Sequence, residues 1–468
     1  MGIVLSGGTV VTAADCYRAD VRIEGERIAA VGDRIAQPED RDMPVGGCYL
    51  FPGGIDPHTH FDMPAGHTVT ADDFASGTKA AVLGGTTTII DHVTQFKGQT
   101  LDQALAAWHA KAGGKCHSDY GFHMGITDWK DETALQMDRM VLKEGITSFK
   151  FYMAYKNVLQ VDDGVLIQAM RRAEASGALI CLHCENGEII HHLVGEARSR
   201  GHTAPHHYPL TRPMEAEAEA TARAIALGRI AKAPVYIVHV SCKEALRAVA
   251  DARSGGAEVY SETCPQYLLL NDSVYKKDVF SSAKYVMSPP LRKKDDQEAL
   301  WNGLRAGLVD TVATDHCSFN FKGQKDLGLA DFSEIPGGIP GVEHRMGLLY
   351  SYGVVPGRIS INRFVDLTST TPAKIFGLFP RKGTLAPGSD ADVVVWDPRA
   401  TSVITARAQH QRVDYTPYEG FEQTGKASHV FLRGRQVVRD SRLADENPGG
   451  EYLFREPVNR RGLGLCSR

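Results

Sequence analysis

The sequence predicts an α/β fold: a (β/α)8 TIM-like barrel with a small β-sandwich domain formed by the N- and C-terminal segments. Two observations predict it. Through the middle of the chain, short β-type runs alternate with helical runs in about eight strand-then-helix units, which favours a closed barrel over an open doubly wound sheet. Both ends of the chain instead carry short strands closed by turn residues, which suggests one β-domain built from both termini.

The N-terminal and C-terminal segments show the same pattern of short strands and turns. The stretches IVLSGGTVVT, ADVRIEG and ERIAAVG near the start resemble GTLAPGSDADVVVWD and HVFLRGRQVVRD near the end. We therefore expect four regions: the N-terminal part of the sandwich at 1–52, the barrel at 53–380, the C-terminal part of the sandwich at 381–440, and a C-terminal tail at 441–468. The tail is rich in Gly, Pro and Arg, and it is a candidate oligomer contact.

The barrel is predicted from periodicity. Residues Leu166, Ala169, Met170 and Ala173 form one apolar stripe at helical spacing, and Gly177 supplies the stop. The predicted strands lie near Phe51 and at 86–92, 119–126, 148–153, 179–184, 235–240, 258–261 and 311–314. The predicted helices lie at 101–110, 132–142, 165–173, 215–230, 243–252 and 296–306.

Composition excludes several functional classes. The 468 residues carry a net charge of -4 with scattered basic residues, so no nucleic-acid partner is indicated. No apolar run of about 18 residues predicts a membrane span, and the first residues do not resemble a signal peptide. The nine cysteines are dispersed and odd in number, which is typical of reduced thiols in a cytoplasm. We therefore expect a cytoplasmic protein.

The candidate functional residues lie where predicted barrel strands end, because active sites of such barrels form at that face. In FPGGIDPHTH, two imidazoles stand one residue apart, so in a strand they point to the same side. Neutral imidazole is the commonest side-chain ligand of metals. The complete set is four histidines, one lysine and one aspartate: His58, His60, Lys150, His183, His239 and Asp315.

Each of these residues also has a simpler interpretation. His183 or His239 alone could be a hydrogen-bonded core residue, and Asp315 could cap a turn. Lys150 lies between Phe149 and Phe151, where a charged amine is costly to bury. It either points outward between strand and helix, or it adds carbon dioxide to become a carbamate. The two carbamate oxygens could bridge two metals about 3.5–4 Å apart.

The chain resembles the cyclic amidohydrolases, most closely the dihydropyrimidinases and D-hydantoinases. The matching stretches cover almost the whole chain: GGIDPHTHFDMP, GGTTTIIDH, GITSFKFYMAY, LHCENGEII, YIVHVS, ETCPQYLLL, MSPPLR, ATDHCSFNFKGQK and KGTLAPGSDADVVVWDP. The resemblance implies a binuclear zinc site bridged by carboxylated Lys150 and a hydroxide. The more buried zinc would be held by His58, His60, Lys150 and Asp315, and the other by Lys150, His183 and His239.

The resemblance also implies an activity. The enzyme would open the cyclic amide bond of dihydropyrimidines or 5-substituted hydantoins and give N-carbamoyl amino acids. Asp315 would move the proton from the attacking water to the leaving ring nitrogen, and the Tyr155 hydroxyl would support the oxyanion. Ser288 and the backbone of Gly337 would hold the ring; the family often has Asn where this chain has Gly337. The family is usually homotetrameric, so we expect a homotetramer.

Three alternatives stay open. Allantoinases share the same ligand set and act on a related ureide ring. Dihydroorotases carry an arginine two residues after the HxH pair, where this chain has Asp62, and that favours a neutral substrate. Non-catalytic scaffolds of this fold have lost the metal ligands, all of which are present here.

Two further residues near the motifs, Asp91 and His316, receive supporting assignments. Asp91 could orient a ligating histidine. His316 and Cys317 follow Asp315 directly, so His316 is expected to support the site and not to bind metal. His67 lies on a loop and is expected at the surface.

Overall fold

The computed structural model describes residues 2–328 and 330–458. Its centre is a sheet of eight parallel strands that pair in chain order. The strands are β1 Gly54–Thr59, β2 Thr86–Thr94, β3 Asp119–Gly125, β4 Ser148–Tyr152, β5 Leu179–His183, β6 Val235–Ile237, β7 Val259–Thr263 and β8 Thr311–Val312. Every residue of these strands is buried, as expected for a parallel sheet covered by helices. The predicted barrel is confirmed.

Eight main helices connect or follow the strands. They are α1 Phe74–Leu83, α2 Leu101–Ala112, α3 Thr133–Glu144, α4 Asp163–Ser176, α5 Gly187–Ser199, α6 Met214–Ala231, α7 Lys243–Ser254 and α8 Lys294–Ala306. Shorter helical segments are Pro205–Thr211, Pro265–Leu269, Asp272–Lys276, Val279–Ala283, Lys325–Gly328, Phe332–Glu334, Arg345–Leu349, Tyr350–Val354, Ile361–Val365, Asp366–Thr370 and Thr371–Ile375. Helix α4 ends at Gly177 in the left-handed conformation (φ 70°), as its sequence predicts.

The barrel closes at its mouth. No ladder joins β8 to β1 in the described residues, but Thr59 forms an isolated parallel bridge with His316. The amide of His60 donates to the carbonyl of His316 at 2.9 Å. The seam of the barrel therefore lies beside three of the predicted site residues, His58, His60 and Asp315.

The terminal segments form two further sheets that share a core. One sheet contains Arg27–Gly32, Asp20–Glu24, Ile3–Ser6 and Arg41–Pro44; the other contains Arg442–Leu443, Arg435–Arg439, Glu422–Leu432, Val393–Val403, Tyr49–Pro52, Thr9–Val11 and Cys16–Arg18. A pair of two-residue strands, Pro64–Ala65 and Thr68–Val69, forms a hairpin after β1. In the larger terminal sheet, Val393–Val403 pairs antiparallel with Tyr49–Pro52, so both termini build one domain, as predicted. Leu5, Leu50 and Val393 belong to its buried core.

The predicted tail begins too early, because Arg442–Leu443 still belongs to the larger terminal sheet; residues 451–455 pack against the barrel of the same chain. The carbonyl of Glu451 accepts from the Tyr120 amide at 2.9 Å, and the Leu453 amide donates to the Tyr120 carbonyl at 2.8 Å. Arg455 is fully buried and donates to Ser148 Oγ at 3.1 Å. Residues 459–468 of the predicted tail lie outside the described residues.

Two predicted strands are shorter than expected. The sixth ends at Ile237 and not at residue 240, and the eighth ends at Val312 and not at residue 314. The reason is a change of backbone conformation, because His239 and Asp315 adopt positive φ values of 40° and 51°. Across residues 2–328 and 330–458, no helix is both long and apolar enough to cross a bilayer.

Candidate metal centre

Three of the predicted ligands converge at the barrel seam. His58 lies inside β1 and His60 directly after it, so both rings point to the same side. Oδ1 of Asp315 lies 3.2 Å from Nε2 of His58 and 3.1 Å from Nε2 of His60. Two ring nitrogens and one carboxylate oxygen around a common point form a donor set suited to a divalent cation.

The strained backbone of Asp315 and His239 turns both residues into the barrel mouth. Non-glycine residues rarely adopt positive φ, and such positions cluster at functional sites. Tyr155 (φ 66°) is a third case at the same mouth. Three predicted site residues therefore share an uncommon backbone conformation.

His183 and His239 form a second convergent pair. Nδ1 of His183 lies 2.9 Å from Nε2 of His239. The other nitrogen of His183, Nε2, lies 2.9 Å from Oε2 of Glu185. Burial alone would raise the pKa of the Glu185 carboxyl. Arg212 and His183 outweigh that effect and lower the pKa to about 2, so this group is a charged carboxylate.

His58 is held in a similar way by Glu262. Nδ1 of His58 lies 2.6 Å from Oε1 of Glu262, which leaves Nε2 facing Asp315. Burial raises the pKa of Glu262 to about 8, although the Tyr236 hydroxyl and the Lys150 amine oppose this shift. The second ring nitrogen of a metal-binding histidine usually contacts a carboxyl group or a backbone carbonyl. His58 and His183 each have a glutamate carboxyl group at that nitrogen.

Lys150 is the least satisfied group of the set. Its side chain on β4 is buried, and its Nζ has no hydrogen-bond partner among the described residues. Burial lowers the pKa of the Lys150 ammonium, against the charges of Asp315 and Glu262. The alternative in which Lys150 points outward does not hold, because a snorkelling side chain would reach solvent and this one is buried. A buried amine without a hydrogen-bond partner, beside convergent histidines, fits the expectation that Lys150 belongs to the metal site.

The structure adds a histidine that sequence reasoning missed. Ring nitrogens of His58, His60 and His92 lie within 4.8 Å of one another, and all three rings are buried. His92 lies in β2, in the segment TTTIIDHVT. His92 directly follows Asp91 at the end of a predicted strand, and that position could have indicated a site residue.

The predicted substrate residues also lie together. The Tyr155 ring centroid is 5.1 Å from that of His183. Ser288 Oγ lies 2.5 Å from the hydroxyl of Tyr208, and a Cβ added at Gly337 would be 3.9 Å from Ser288 Oγ. Burial raises the pKa of the Tyr155 phenol well above its usual value, so the hydroxyl keeps its proton and can donate.

Arg212 and Tyr208 belong to the same wall and were not predicted. The Arg212 guanidinium carbon lies 5.6 Å from the centroid of Tyr155 and 5.1 Å from that of Tyr208. Arg212 also donates to Glu185 at 2.8 Å. Arg212 therefore links the carboxylate behind His183 to the two phenols, but nothing in its sequence context distinguishes it from a surface arginine.

Asp91, His316 and Cys317 all make contacts close to the predicted site residues. Asp91 accepts from Thr59 Oγ1 at 2.8 Å and from the Phe61 amide at 2.9 Å, so it fixes the backbone on both sides of His60. His316 Nε2 lies 3.0 Å from Asp72 Oδ2, which gives it a supporting position. The buried Cys317 Sγ lies 3.7 Å from the carbonyl of Gly337.

Asp62 and His67 lie apart from the convergent groups. Oδ2 of Asp62 accepts from the Phe74 amide, the first residue of α1, at 3.1 Å. The missing arginine at this position, and not a free negative charge, is therefore what distinguishes this chain from the dihydroorotases. His67 is exposed on the turn of the short hairpin after β1.

An eight-stranded parallel barrel with histidines, a lysine and an aspartate at one mouth is the architecture of a barrel hydrolase. Residues 49–437 match the Amidohydrolase family, and the chain belongs to that family.

Curated relatives and solved structures agree with this membership. The chain is 50% identical to a D-hydantoinase of Geobacillus stearothermophilus over 97% of this chain and 96% of the relative. It is 48% identical to a D-hydantoinase of Streptomyces coelicolor, over 97% of each chain. A crystal structure of a dihydropyrimidinase from Brevibacillus agri is 49% identical and superposes with a TM-score of 0.97, over 98% of this chain and 100% of that one. The resemblance and the enzyme class predicted from the sequence are confirmed.

Proposed function

We propose that this enzyme opens the cyclic amide bond of 5-substituted hydantoins or dihydropyrimidines by hydrolysis and releases N-carbamoyl amino acids. One observation carries the proposal: Asp315 Oδ1 lies within 3.2 Å of two imidazole nitrogens, at a barrel mouth that also holds Tyr155 and Ser288. Relatives named D-hydantoinase and dihydropyrimidinase span nearly the whole chain.

We propose two zinc ions as the cofactor. When bound, they would polarise the scissile carbonyl and make water acidic enough to attack near neutral pH. His58, His60 and Asp315 would hold one ion, His183 and His239 would hold the other, and carboxylated Lys150 would bridge them. The donor set supports this assignment, because burial lowers the pKa of His58 and His239 well below the usual value and keeps both rings neutral, as metal ligands must be.

Asp315 would carry the proton. Its carboxylate accepts a proton from the attacking water and passes it to the ring nitrogen that leaves when the amide C–N bond breaks. Atoms balance, because the water oxygen becomes part of the new carboxylate and the nitrogen keeps the transferred proton. The position of Oδ1 between two imidazoles keeps the carboxylate at the reacting centre.

Tyr155, Ser288 and Gly337 would place the substrate. The protonated phenol of Tyr155 donates to the oxygen that becomes negative in the tetrahedral transition state. Ser288, oriented by Tyr208, would bind the ring amide together with the backbone of Gly337. Arg212 lowers the pKa of Tyr155 against the effect of burial, so it strengthens the phenol as a hydrogen-bond donor.

A substrate panel tests the proposal. The purified enzyme is assayed against D- and L-5-substituted hydantoins, dihydrouracil, allantoin and dihydroorotate. Ring opening of hydantoins or dihydrouracil is expected, with the D-hydantoin preferred because the relatives at 48–50% identity are D-hydantoinases. Turnover of allantoin alone would make the enzyme an allantoinase, and turnover of none with no bound metal would favour a scaffold.

We also propose a homotetramer in the cytoplasm. The dispersed cysteines support a reducing compartment, and all eight described cysteines are free thiols. Light scattering of the purified enzyme gives the mass: four times 51.0 kDa is expected. A monomer mass would contradict the tetramer.

A further inference from the structure

Three imidazoles form a compact group on the first two barrel strands. His58 and His60 are proposed ligands, whereas His92 has no role in the mechanism above. The ring centroid of His92 lies 4.4 Å from that of His58 and 4.8 Å from that of His60. One nitrogen from each of the three rings lies within 4.8 Å of the chosen nitrogens of the other two.

The hydrogen bonds of His92 leave one nitrogen available. Its Nδ1 lies 3.3 Å from the carbonyl oxygen of Thr59. Its Nε2 is buried and has no hydrogen-bond partner in the described part of the chain. A ring whose Nδ1 rests on a backbone carbonyl and whose Nε2 is free has the usual arrangement of a metal-binding histidine.

His123 provides an internal comparison. Its ring lies 4.6 Å from that of His92, as the next ring of the same buried row. Both of its nitrogens are engaged, Nδ1 with Ser148 Oγ at 2.6 Å and Nε2 with the Pro57 carbonyl at 2.9 Å. Burial in this row therefore does not by itself leave a ring nitrogen without a hydrogen-bond partner. His92 differs from His123 because its Nε2 has no such partner in the described residues and can bind a metal.

The unmodified state of Lys150 gives His92 a role. Until its amine adds carbon dioxide and releases a proton, Lys150 offers no oxygen to a metal. Its Nζ has no hydrogen-bond partner in the ranges 2–328 and 330–458. We propose that a single zinc-type ion is then held by the three imidazoles of His58, His60 and His92, so that His92 is a ligand of the enzyme before Lys150 is carboxylated.

The distances between the potential ligands can be compared with those around a tetrahedral zinc ion. Tetrahedral ligands at roughly 2.05 Å from zinc stand about 3.4 Å from one another. The contacts from Asp315 Oδ1 to the His58 and His60 nitrogens, at 3.2 and 3.1 Å, are already near that separation. The ring nitrogens of the three histidines are at most 4.8 Å apart, so the largest of these distances would have to shorten by about 1.4 Å to reach the tetrahedral value. Asp315 would supply the fourth ligand. The inference rests on the proposed metal-dependent function.

The experiment uses Lys150→Met, which removes the amine that becomes the bridge. Cobalt(II) is titrated into the metal-free full-length chain and followed by visible absorption and by metal analysis. We expect one cobalt per chain in Lys150→Met. The double variant with His92→Gln should lose more affinity than the roughly tenfold typical of an outer contact. The double variant with His123→Gln is the matched control and should keep the cobalt spectrum.

A ligating replacement makes the result specific. In Lys150→Met with His92→Cys, a thiolate-to-cobalt charge-transfer band is expected, which a packing role of His92 would not produce. Circular dichroism of each metal-free variant checks that it folds. Unchanged cobalt affinity in the His92→Gln double variant, or no charge-transfer band with Cys in a folded protein, would overturn the inference. If Lys150→Met binds no cobalt while the parent binds two, the inference also fails but the proposed function stands. If the parent itself binds none, the proposed function fails.

Discussion

Nδ1 of His183 and Nε2 of His239 lie 2.9 Å apart across the barrel mouth, although both rings are buried and burial lowers the pKa of each. Two neutral rings at that distance share one proton. An ion bound between them would take the place of that proton, because a metal-binding nitrogen must be deprotonated. This pair and the contacts of Asp315 with His58 and His60 are two separate groups of potential ligands at one barrel mouth, and the proposed assignment gives one ion to each.

Lys150→Ala is expected to reduce the zinc content from two ions to at most one per chain. Losing one ion removes transition-state stabilisation of several kcal/mol, so kcat should fall by about 10³-fold or more. Metal analysis and initial rates on one preparation check this. A variant that keeps two ions and full turnover would contradict the bridging role.

Asp315→Asn should keep most of its metal but lose hydrolysis. The amide oxygen can still bind a metal, but it cannot accept and return a proton. A loss of kcat of about 10²- to 10⁴-fold is expected. Equal kcat in the variant and the parent, with metal content matched, would exclude Asp315 as the proton carrier.

Tyr155→Phe should lower kcat by about 10²- to 10³-fold, as loss of one oxyanion donor does, and should leave metal content unchanged. Tyr208→Phe is the matched control. Its hydroxyl bonds Ser288 at 2.5 Å, so its removal should act mainly on KM. If Tyr155→Phe changes metal content and not kcat, the phenol has a structural role.

The glutamate carboxyl groups that contact His58 and His183 should control different ions. Glu262→Gln is expected to weaken the ion held by His58 about 10- to 100-fold, and Glu185→Gln should weaken the ion held by His183 by a similar factor. Competition with a chelator, analysed as two steps, separates them. The assignment is wrong if both variants weaken the same step.

A stability prediction lies outside the active site. Lys382 is buried and its Nζ lies 2.7 Å from Asp119, 2.7 Å from Asp392 and 3.1 Å from Asp390. Asp119 and Asp390 keep arginine partners in Lys382→Met, but the buried Asp392 loses the cation that it pairs with in the described residues. The change should therefore cost about 3–5 kcal/mol in the free energy of unfolding.

The control for that prediction is Lys79→Met. Lys79 pairs at 2.8 Å with Glu446, whose side chain is mostly exposed, so its loss should lower the free energy of unfolding far less than Lys382→Met does. Denaturant midpoints of the two variants are compared at equal metal loading. Similar midpoints would show that the Lys382 cluster contributes no more than a surface pair.

Much of the fold could be predicted because it follows periodicity. Helix α4 shows this well: its apolar stripe and terminal Gly177 predict a helix at 165–173, and the structure has Asp163–Ser176. Strand ends were less predictable, because the positive φ of His239 and Asp315 is imposed by the barrel mouth and not by local propensity. The identity of these residues was nevertheless predicted from their places in the chain.

The residues behind the site were harder to predict. Glu185 follows His183 by two residues and therefore shares its face, so alternation alone could have indicated it. Glu262 contacts His58 across 204 positions of sequence, and Tyr208 reaches Ser288 across 80. Contacts that long depend on which strands the barrel brings together, and a single sequence contains no direct record of them.

The seam between Thr59 and His316 has a consequence for biosynthesis. The barrel is fastened beside His60 and Asp315, so the first and last strands must meet before those side chains face each other. A nascent chain released only as far as the seventh strand would hold the histidines of β1 without their carboxylate partner. The donor set that includes Asp315 is therefore complete only when the cylinder closes, and a truncated barrel would not assemble it.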